Sequence, residues 1–380
     1  MHGLEIGECV LDGNCEVLRQ EVRAFLAESL ASQTTEQKML SWTGVDFEFS
    51  RKLGARGWIG MTWPKCYGGH ERSAIERYVV TEELLAAGAP CGGHWTADRQ
   101  HGPMLLRFGS EELKSTFLPR IVRGELATAI GMSEPDSGSD LASIRTKAER
   151  VADGWVINGR KIWSSGSLQF PYMVALVRTG ERGEDRHGGL SQFWVDLKAP
   201  GITIRPVQFL TGEPKWGEVT FDNVFVRSDY LLGEPGNGWG QVTTELGYER
   251  SGPDRYLSSL HLLLEMLDSA NPDDPRHAAV LGKLVAELST LRQLSLGIAG
   301  ILSRGENPGL ASSIVKDLGT TFEQQIPESA HELFDAALVD PDSSLAAMMN
   351  YLVQLAPSFS IRGGTREVLR GIIARGRGIR

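Results

Sequence analysis

The feature that most limits the fold of this chain is a change of apolar period partway along it. Up to about residue 125 hydrophobic residues recur at helical spacing. Val17, Leu18, Val22, Phe25 and Leu26 share one face of a first helix, with Asn14 able to cap it. Further helices are expected near 71–88 and 97–107, and Ser110 with Glu112–Leu113 suits the start of another. From about 126 to 235 the pattern becomes short β-branched and aromatic runs: VADGWVINGRKIW, PYMVALVRT, LSQFWVDL, GITIRPV and GEVTFDNVFV. Asp-Gly, Asn-Gly, Gly-Gly and Asp-Asn turns separate them. No helix-length segment lies between the runs, so an antiparallel barrel or sandwich fits better than parallel β/α units. From about 238 the helical period returns, over 239–268, 276–303, 309–325, 328–339, 343–355 and 365–374. The expected class is α+β: an N-terminal helical domain (1–125), a middle antiparallel β-barrel domain (126–235) and a C-terminal helical bundle (236–380).

Bulk properties remove several functions. A net charge of −9 disfavours nucleic acid or an anionic membrane surface as the main ligand. No run reaches the roughly 18 apolar residues of a membrane span. The start, MHGLEIGECVLDGN, has neither region of a signal peptide, so a cytoplasmic location is expected. Cys9, Cys15, Cys66 and Cys91 form no Cys-x-x-Cys pair and no histidine stands at metal spacing. Reduced thiols and no metal site are expected.

The densest polar stretch is IGMSEPDSGSD at 130–140. Ser133, Ser137 and Ser139 offer donors, Gly138 permits close backbone approach, and successive N–H groups in a turn make an anion-binding concavity. INGRKIWSSG follows, where Trp163 offers a flat face beside Ser164 and Ser165. No Gly-x-Gly-x-x-Gly opens a βαβ unit, which disfavours a Rossmann dinucleotide site. Composition and spacing show a polar turn and an aromatic strand, nothing finer.

Farther on, GWGQVTTELGYERSGPDRYLSSLHLLLEML carries an acid in an apolar stripe. If it is one helix, Val242, Leu246, Pro253, Tyr256, Leu257 and Leu260 share a face and Glu249 falls among them. Pro253 has no N–H for the Glu249 carbonyl, so the helix is expected to kink or open there. Spacing leaves two uses open: an ion pair with Arg250, Arg255 or a neighbouring helix, or a base that removes an acidified proton.

These motifs together resemble the acyl-CoA dehydrogenases, flavin enzymes with a helical–β–helical subunit. The likeness covers nearly all 380 residues in order. IGMSEPDSGSD resembles the family's flavin-contacting turn, with Asp136 where glycine is usual. INGRKIWSSG resembles its next strand, FDNVFVRSDYLLGEPGNGW the exit from its β domain, and TREVLRGIIARG its final helix. The resemblance implies FAD as cofactor and an acyl-CoA as substrate. It implies Met132 and Ser133 near the isoalloxazine edge, with Gly138 and Ser139 at the pyrophosphate. It sets Trp163 against the ring and Ser165 near its reactive nitrogen.

Most members carry the base just upstream of a Gly-Thr before the final helix. Here that loop reads SIRGGTREV, and Gly363 occupies the position. A minority, resembling the isovaleryl and long-chain enzymes, carry it on the earlier helix before an arginine, as in Glu249–Arg250. The resemblance therefore implies Glu249 as base and the Gly363 N–H as a donor to the thioester oxygen; Glu245, one turn earlier on the edge of the apolar stripe, is the second candidate. Arg250 would face a CoA phosphate or fix the helix. His94, Trp95 and Met104 are candidates for the far end of an acyl cavity.

Homotetrameric members usually carry Arg-x-x-Phe-Gly and Gln-x-x-Gly-Gly-x-Gly in the last domain. NPDDPRHAAVLGKL and HELFDAALVDPDSSL contain neither. Two assemblies fit: a homo-oligomer with altered FAD contacts, or a heterotetramer with a related subunit. The latter resembles the heteromeric members linked to breakdown of steroid side chains. Electron-transfer flavoprotein is the implied acceptor. Two other readings keep the fold, a flavin-dependent oxidase or monooxygenase and a non-catalytic partner subunit of a heteromeric dehydrogenase.

Overall fold

A computed structural model describes residues 6–379 except Glu8, Arg182, Ser251 and 335–339. The helices before the sheet are α1 (Gly13–Ser29), α2 (Thr35–Leu40), α3 (Phe47–Ala55), α4 (Ala74–Ala86), α5 (Gly102–Phe108) and α6 (Glu111–Val122). The strands are β1 (Thr128–Gly131), β2 (Lys147–Val151), β3 (Gly154–Ser165), β4 (Tyr172–Arg178), β5 (Leu190–Asp196), β6 (Ile202–Gln208), β7 (Pro214–Arg227) and β8 (Leu231–Leu232). Then come α7 (Gly238–Glu249), α8 (Leu260–Asp268), α9 (Pro275–Ser303), α10 (Gly309–Leu333), α11 (Ser344–Leu355) and α12 (Arg366–Gly376). Helices, sheet and helices follow one another as the change of period requires. The chain divides into two compact units, Met1–Phe49 with Arg72–Cys91 and Gly247–Arg380, and Ser50–Glu71 with Gly92–Leu246.

The second unit is built on an eight-stranded sheet of order β6-β7-β3-β2-β4-β5-β8, with β1 added beside β4. The pairings are antiparallel except β1 with β4 and a single β2–β4 bridge, both parallel, so the expectation of an all-antiparallel domain is corrected there. β4 and β5 are buried almost throughout, which is why β4 reads as a continuous apolar run rather than an alternating one, while β5 buries Ser191 and Gln192 beside its apolar residues. Trp155, Met173, Val177, Phe193, Val195 and Phe221 form the main core of this unit. The stretch expected as a helix over 97–107 opens with a π-helical turn, Ala97–His101, before α5.

In the first unit three sequence expectations are corrected. The cap of α1 is Asp12, whose carboxylate accepts from the Cys15 N–H; Asn14 lies inside the helix. Residues 239–268 do not form one helix but open beside Pro253, as expected of that proline: α7 stops at Glu249, a 3-10 turn covers Pro253–Arg255, and α8 starts at Leu260. Conversely, the helices expected over 309–325 and 328–339 are one helix, α10, running through Pro327. The proline leaves the Glu323 carbonyl without its helical donor, and the Ser259 hydroxyl supplies one at 3.1 Å. The rest of the 328–339 expectation, and with it part of HELFDAALVDPDSSL, lies outside the described residues.

Candidate active site

The predicted residues fall into two groups, one in each unit. In the sheet unit the turn after β1 is closed by reciprocal N–H to carbonyl bonds between Glu134 and Ser137. The buried Glu134 carboxylate accepts from the N–H groups of Arg145 and Thr146 and from Lys161 Nζ at 2.8 Å. Lys161, fully buried on β3, also donates to the Met132 carbonyl at 3.0 Å. Burial brings the Lys161 amine down to about 8, against the pull of the Glu134 charge. Burial alone would raise the Glu134 carboxyl, but Lys161 and the two N–H donors outweigh it and hold it below its ordinary value. This pair was missed by sequence reasoning, because each residue alone looks like a solvated charge.

The same pair fastens the turn to the aromatic strand. The Ile162 N–H donates to the Ser133 carbonyl at 2.9 Å, so Met132, Ser133 and Trp163 are brought together. Trp163 sits at a register irregularity between β3 and β7, with φ of 58° and half its surface exposed. A tryptophan in left-handed backbone, uncovered in a unit whose other tryptophans on β3 and β5 are buried, is an outlier that points to use. Ser165 Oγ accepts from the Trp216 indole N–H at 2.9 Å, leaving its own hydrogen to donate. Ser164 Oγ is buried without a hydrogen-bond partner among the described residues. Ser139 is exposed, and a Cβ on Gly138 would meet nothing within 4 Å. An exposed aromatic face with hydroxyl donors and open backbone fits a planar ring carrying phosphates.

In the other unit Glu249 is the last residue of α7, 14% exposed. The carbonyl that Pro253 cannot serve accepts instead from Arg255 Nε at 3.0 Å, while Arg255 Nη2 meets Glu249 Oε1 at 3.0 Å. One guanidinium thus holds both the backbone and the carboxylate of the acid. The ion pair that spacing left open is present, and it positions the acid. Arg255 is itself nearly fully buried against Asp254 Oδ2 at 3.1 Å.

Arg250, 6% exposed, turns its Nε to the Gly363 carbonyl at 2.8 Å. Gly363 and Gly364 have φ of 66° and 98°, backbone that L side chains rarely adopt. A Cβ on Gly363 would come within 3.0 Å of Glu249 Oε1. The Gly363 N–H donates to no protein group among the described residues. Glu249, Arg250 and Gly363, some 114 positions apart in sequence by their numbers, therefore share one place. A carboxylate and an uncommitted N–H side by side can remove a proton and stabilise the oxyanion that results.

Glu245 is fully buried and already engaged: Oε2 accepts from Gln192 at 2.8 Å and Oε1 faces His101 Nε2 at 3.4 Å. His94, Trp95 and Met104 are all buried. His94 meets Ser50 Oγ at 2.9 Å, and burial lowers its imidazole to about 4.

Comparison with known proteins decides the family. Models of the acyl-CoA dehydrogenase N-terminal, middle and C-terminal domains match residues 14–125, 129–224 and 272–377. The chain belongs to the acyl-CoA dehydrogenase family. It is 33% identical over 375 residues to acyl-CoA dehydrogenase IpdE1 of Mycobacterium tuberculosis, covering 94% of this chain and 96% of that one. Acyl-CoA dehydrogenase FadE26 of the same organism is 30% identical, covering 94% and 95%. Among solved structures it resembles the Tcur3481-Tcur3483 steroid ACAD (TM-score 0.86, 29% identity, 99% of both chains). It also resembles the ChsE4-ChsE5 complex from M. tuberculosis (TM-score 0.82, 30% identity, 96% and 97% covered). It is accordingly an acyl-CoA dehydrogenase, an oxidoreductase of a flavoprotein family. Among the described residues no helix is long and apolar enough to cross a membrane.

Proposed function

We propose that this acyl-CoA dehydrogenase converts an acyl-CoA thioester to the 2-enoyl-CoA with FAD as cofactor and Glu249 as the base. The observation that carries the reading is the Glu249 carboxylate set against the Gly363 turn, whose N–H has no protein partner among the described residues. Glu249 removes the α-proton. The Gly363 N–H donates to the thioester oxygen as negative charge gathers there. Arg255 keeps the carboxylate in register, and Arg250 keeps the glycine turn in place. FAD, when bound, supplies the acceptor for the β-hydrogen as hydride, which no side chain can be. Met132, Ser133, Gly138 and Ser139 on the turn, with Trp163 and Ser165 on β3, would hold it. Trp163 would offer its face to the ring, Ser165 would donate to a ring nitrogen, and Ser139 would serve the pyrophosphate.

We further propose that the working assembly is a heterotetramer with a related subunit and that electron-transfer flavoprotein takes the electrons. Supporting the first point, the solved relatives include the two-component Tcur3481-Tcur3483 and ChsE4-ChsE5 proteins, and the glycine-rich motif of homotetramers is missing from this sequence. The steroid ACAD among these relatives makes bulky acyl groups the first class to try. The three consecutive domains (1–125, 126–235, 236–380) and a cytoplasmic location remain part of this proposal.

The test is anaerobic bleaching of the flavin, with the chain purified alone and with a co-expressed related subunit. Isovaleryl-CoA and a steroid side-chain acyl-CoA are the probes. The reading predicts bleaching by at least one thioester and fuller flavin content with the partner. A protein that takes up FAD yet is bleached by neither, in either form, contradicts it.

A further inference from the structure

Against the Gly363 turn lies a group that the reaction above does not use. Lys316, on α10, is fully buried. Its Nζ donates to Thr320 Oγ1 at 2.8 Å and to the Phe359 carbonyl at 3.1 Å, and to nothing else among the described residues. Two acceptors satisfy a neutral amine, which has two N–H bonds, but leave one donor of an ammonium stranded. The point where a Cβ on Gly363 would lie is 3.0 Å from Glu249 Oε1 and 3.5 Å from Lys316 Cε. The carboxylate and the lysine stem therefore flank the same side of one glycine.

We propose that Lys316 is a positioning residue for the base, whose gain or loss of a proton switches the charge beside Glu249 and with it the ease of α-proton removal. The inference rests on the reading of Glu249 as base. The charged groups around the amine come from every side of the cluster. Arg255 and Arg362 oppose its protonation; Glu323, on its own helix, and Glu249 favour it. Asp254 is paired to Arg255, and Glu323 to Arg362. Burial is the largest influence and brings the amine down to about 7. Below that pH a further cation stands near Glu249 in addition to Arg255 and Arg250. A nearby cation stabilises the carboxylate and makes it a weaker acceptor of protons. Above that pH Arg255 is left as the cation bonded to the acid, and proton removal becomes easier.

Flavin reduction should therefore rise with pH through about 7. The change should be on the order of tenfold, the effect of a charge gained or lost beside a general base. The experiment measures anaerobic reduction against pH, using the thioester that bleaches the wild type fastest. Lys316→Met should lose the inflection and run on the fast limb throughout. Thr320→Val removes one acceptor and should move the inflection to lower pH. A folded Lys316→Met that keeps the wild-type inflection overturns the proposal. If that variant does not fold, an unmoved inflection in Thr320→Val overturns it instead.

A second readout needs no substrate. The melting temperature of the flavin-free protein should climb more steeply above about pH 7 in the wild type than in Lys316→Met. Parallel curves would contradict a titrating lysine. Glu249→Gln separates the two readings. If it reduces flavin normally, the base assignment fails. If it is silent while Lys316→Met keeps the wild-type profile, only the role of Lys316 fails.

Discussion

Replacing Gly363 with alanine probes the proposed centre through a single methyl group. Two effects add. With φ at 66° the new side chain costs about 1 kcal/mol of backbone strain. That lowers the melting temperature by roughly 2–4 °C for a unit of this size. The methyl carbon would also stand 3.0 Å from Glu249 Oε1 and 3.5 Å from the Glu249 carboxyl carbon, closer than an unstrained contact to the oxygen. Glu249 cannot retreat freely, because Arg255 holds both its carbonyl and its carboxylate. The carboxylate should move by a few tenths of an ångström. Misplacing a reacting group by about 1 Å can cost about 10²-fold, so a loss on the order of tenfold is expected. The measurement is stopped-flow anaerobic flavin reduction, with flavin content and melting temperature followed on the same samples. Wild-type reduction in a protein that melts a few degrees lower would refute the reasoning, since the methyl would then be felt by the backbone and not by the base.

Trp163→Ala should weaken flavin binding about tenfold, the loss of a stacking contact, and leave the flavin-free melting temperature unchanged because half the indole is exposed; fluorescence titration with FAD measures it, and unchanged affinity counts against the stacking role. Arg255→Gln leaves Asp254 and Glu249 without their shared buried cation and should destabilise by about 3–5 kcal/mol; urea unfolding checks it, and a loss below about 1 kcal/mol contradicts the clamp. Lys316 has its folded value lowered to about 7 from 10.5, so the native state binds fewer protons than the unfolded chain between those pH values. Stability should therefore rise with pH across that window, by up to about 1.4 kcal/mol per unit, and Lys316→Met should flatten the rise in urea unfolding at two pH values.

The architecture was readable because the change of period is a property of buried faces, which set both helix and strand. The breaks were harder. At the first helix, Asp12 and Asn14 are both good caps two positions apart, and only the Cys15 N–H chooses between them. Pro253 and Pro327 leave the same kind of orphan carbonyl, yet one ends a helix and the other does not. What differs is the donor that arrives: Arg255 reaches back within its own loop, whereas Ser259 comes from a separate segment to support α10. Sequence periodicity carries no record of such donors.

Within the candidate site, Glu249 stood out in the sequence because glycine stands where the family resemblance sets the usual acid, while another acid precedes an arginine. Lys316 could not. Ser312, Lys316, Thr320 and Glu323 make a polar row at helical spacing, which reads as a solvated face, and all four are buried. The clue was the row's place beside the buried apolar residues Ala311, Val315, Phe322 and Ile326 of the same helix. Trp163 was legible as an aromatic beside hydroxyls, but its left-handed backbone was not.

The central claim concerns one side chain, and Glu249→Gln tests it most directly. Removing a general base should slow anaerobic flavin reduction by about 10²–10⁴-fold while FAD stays bound. Reduction at a rate near that of the wild type, in a variant with normal flavin content, would show that some other group takes the proton.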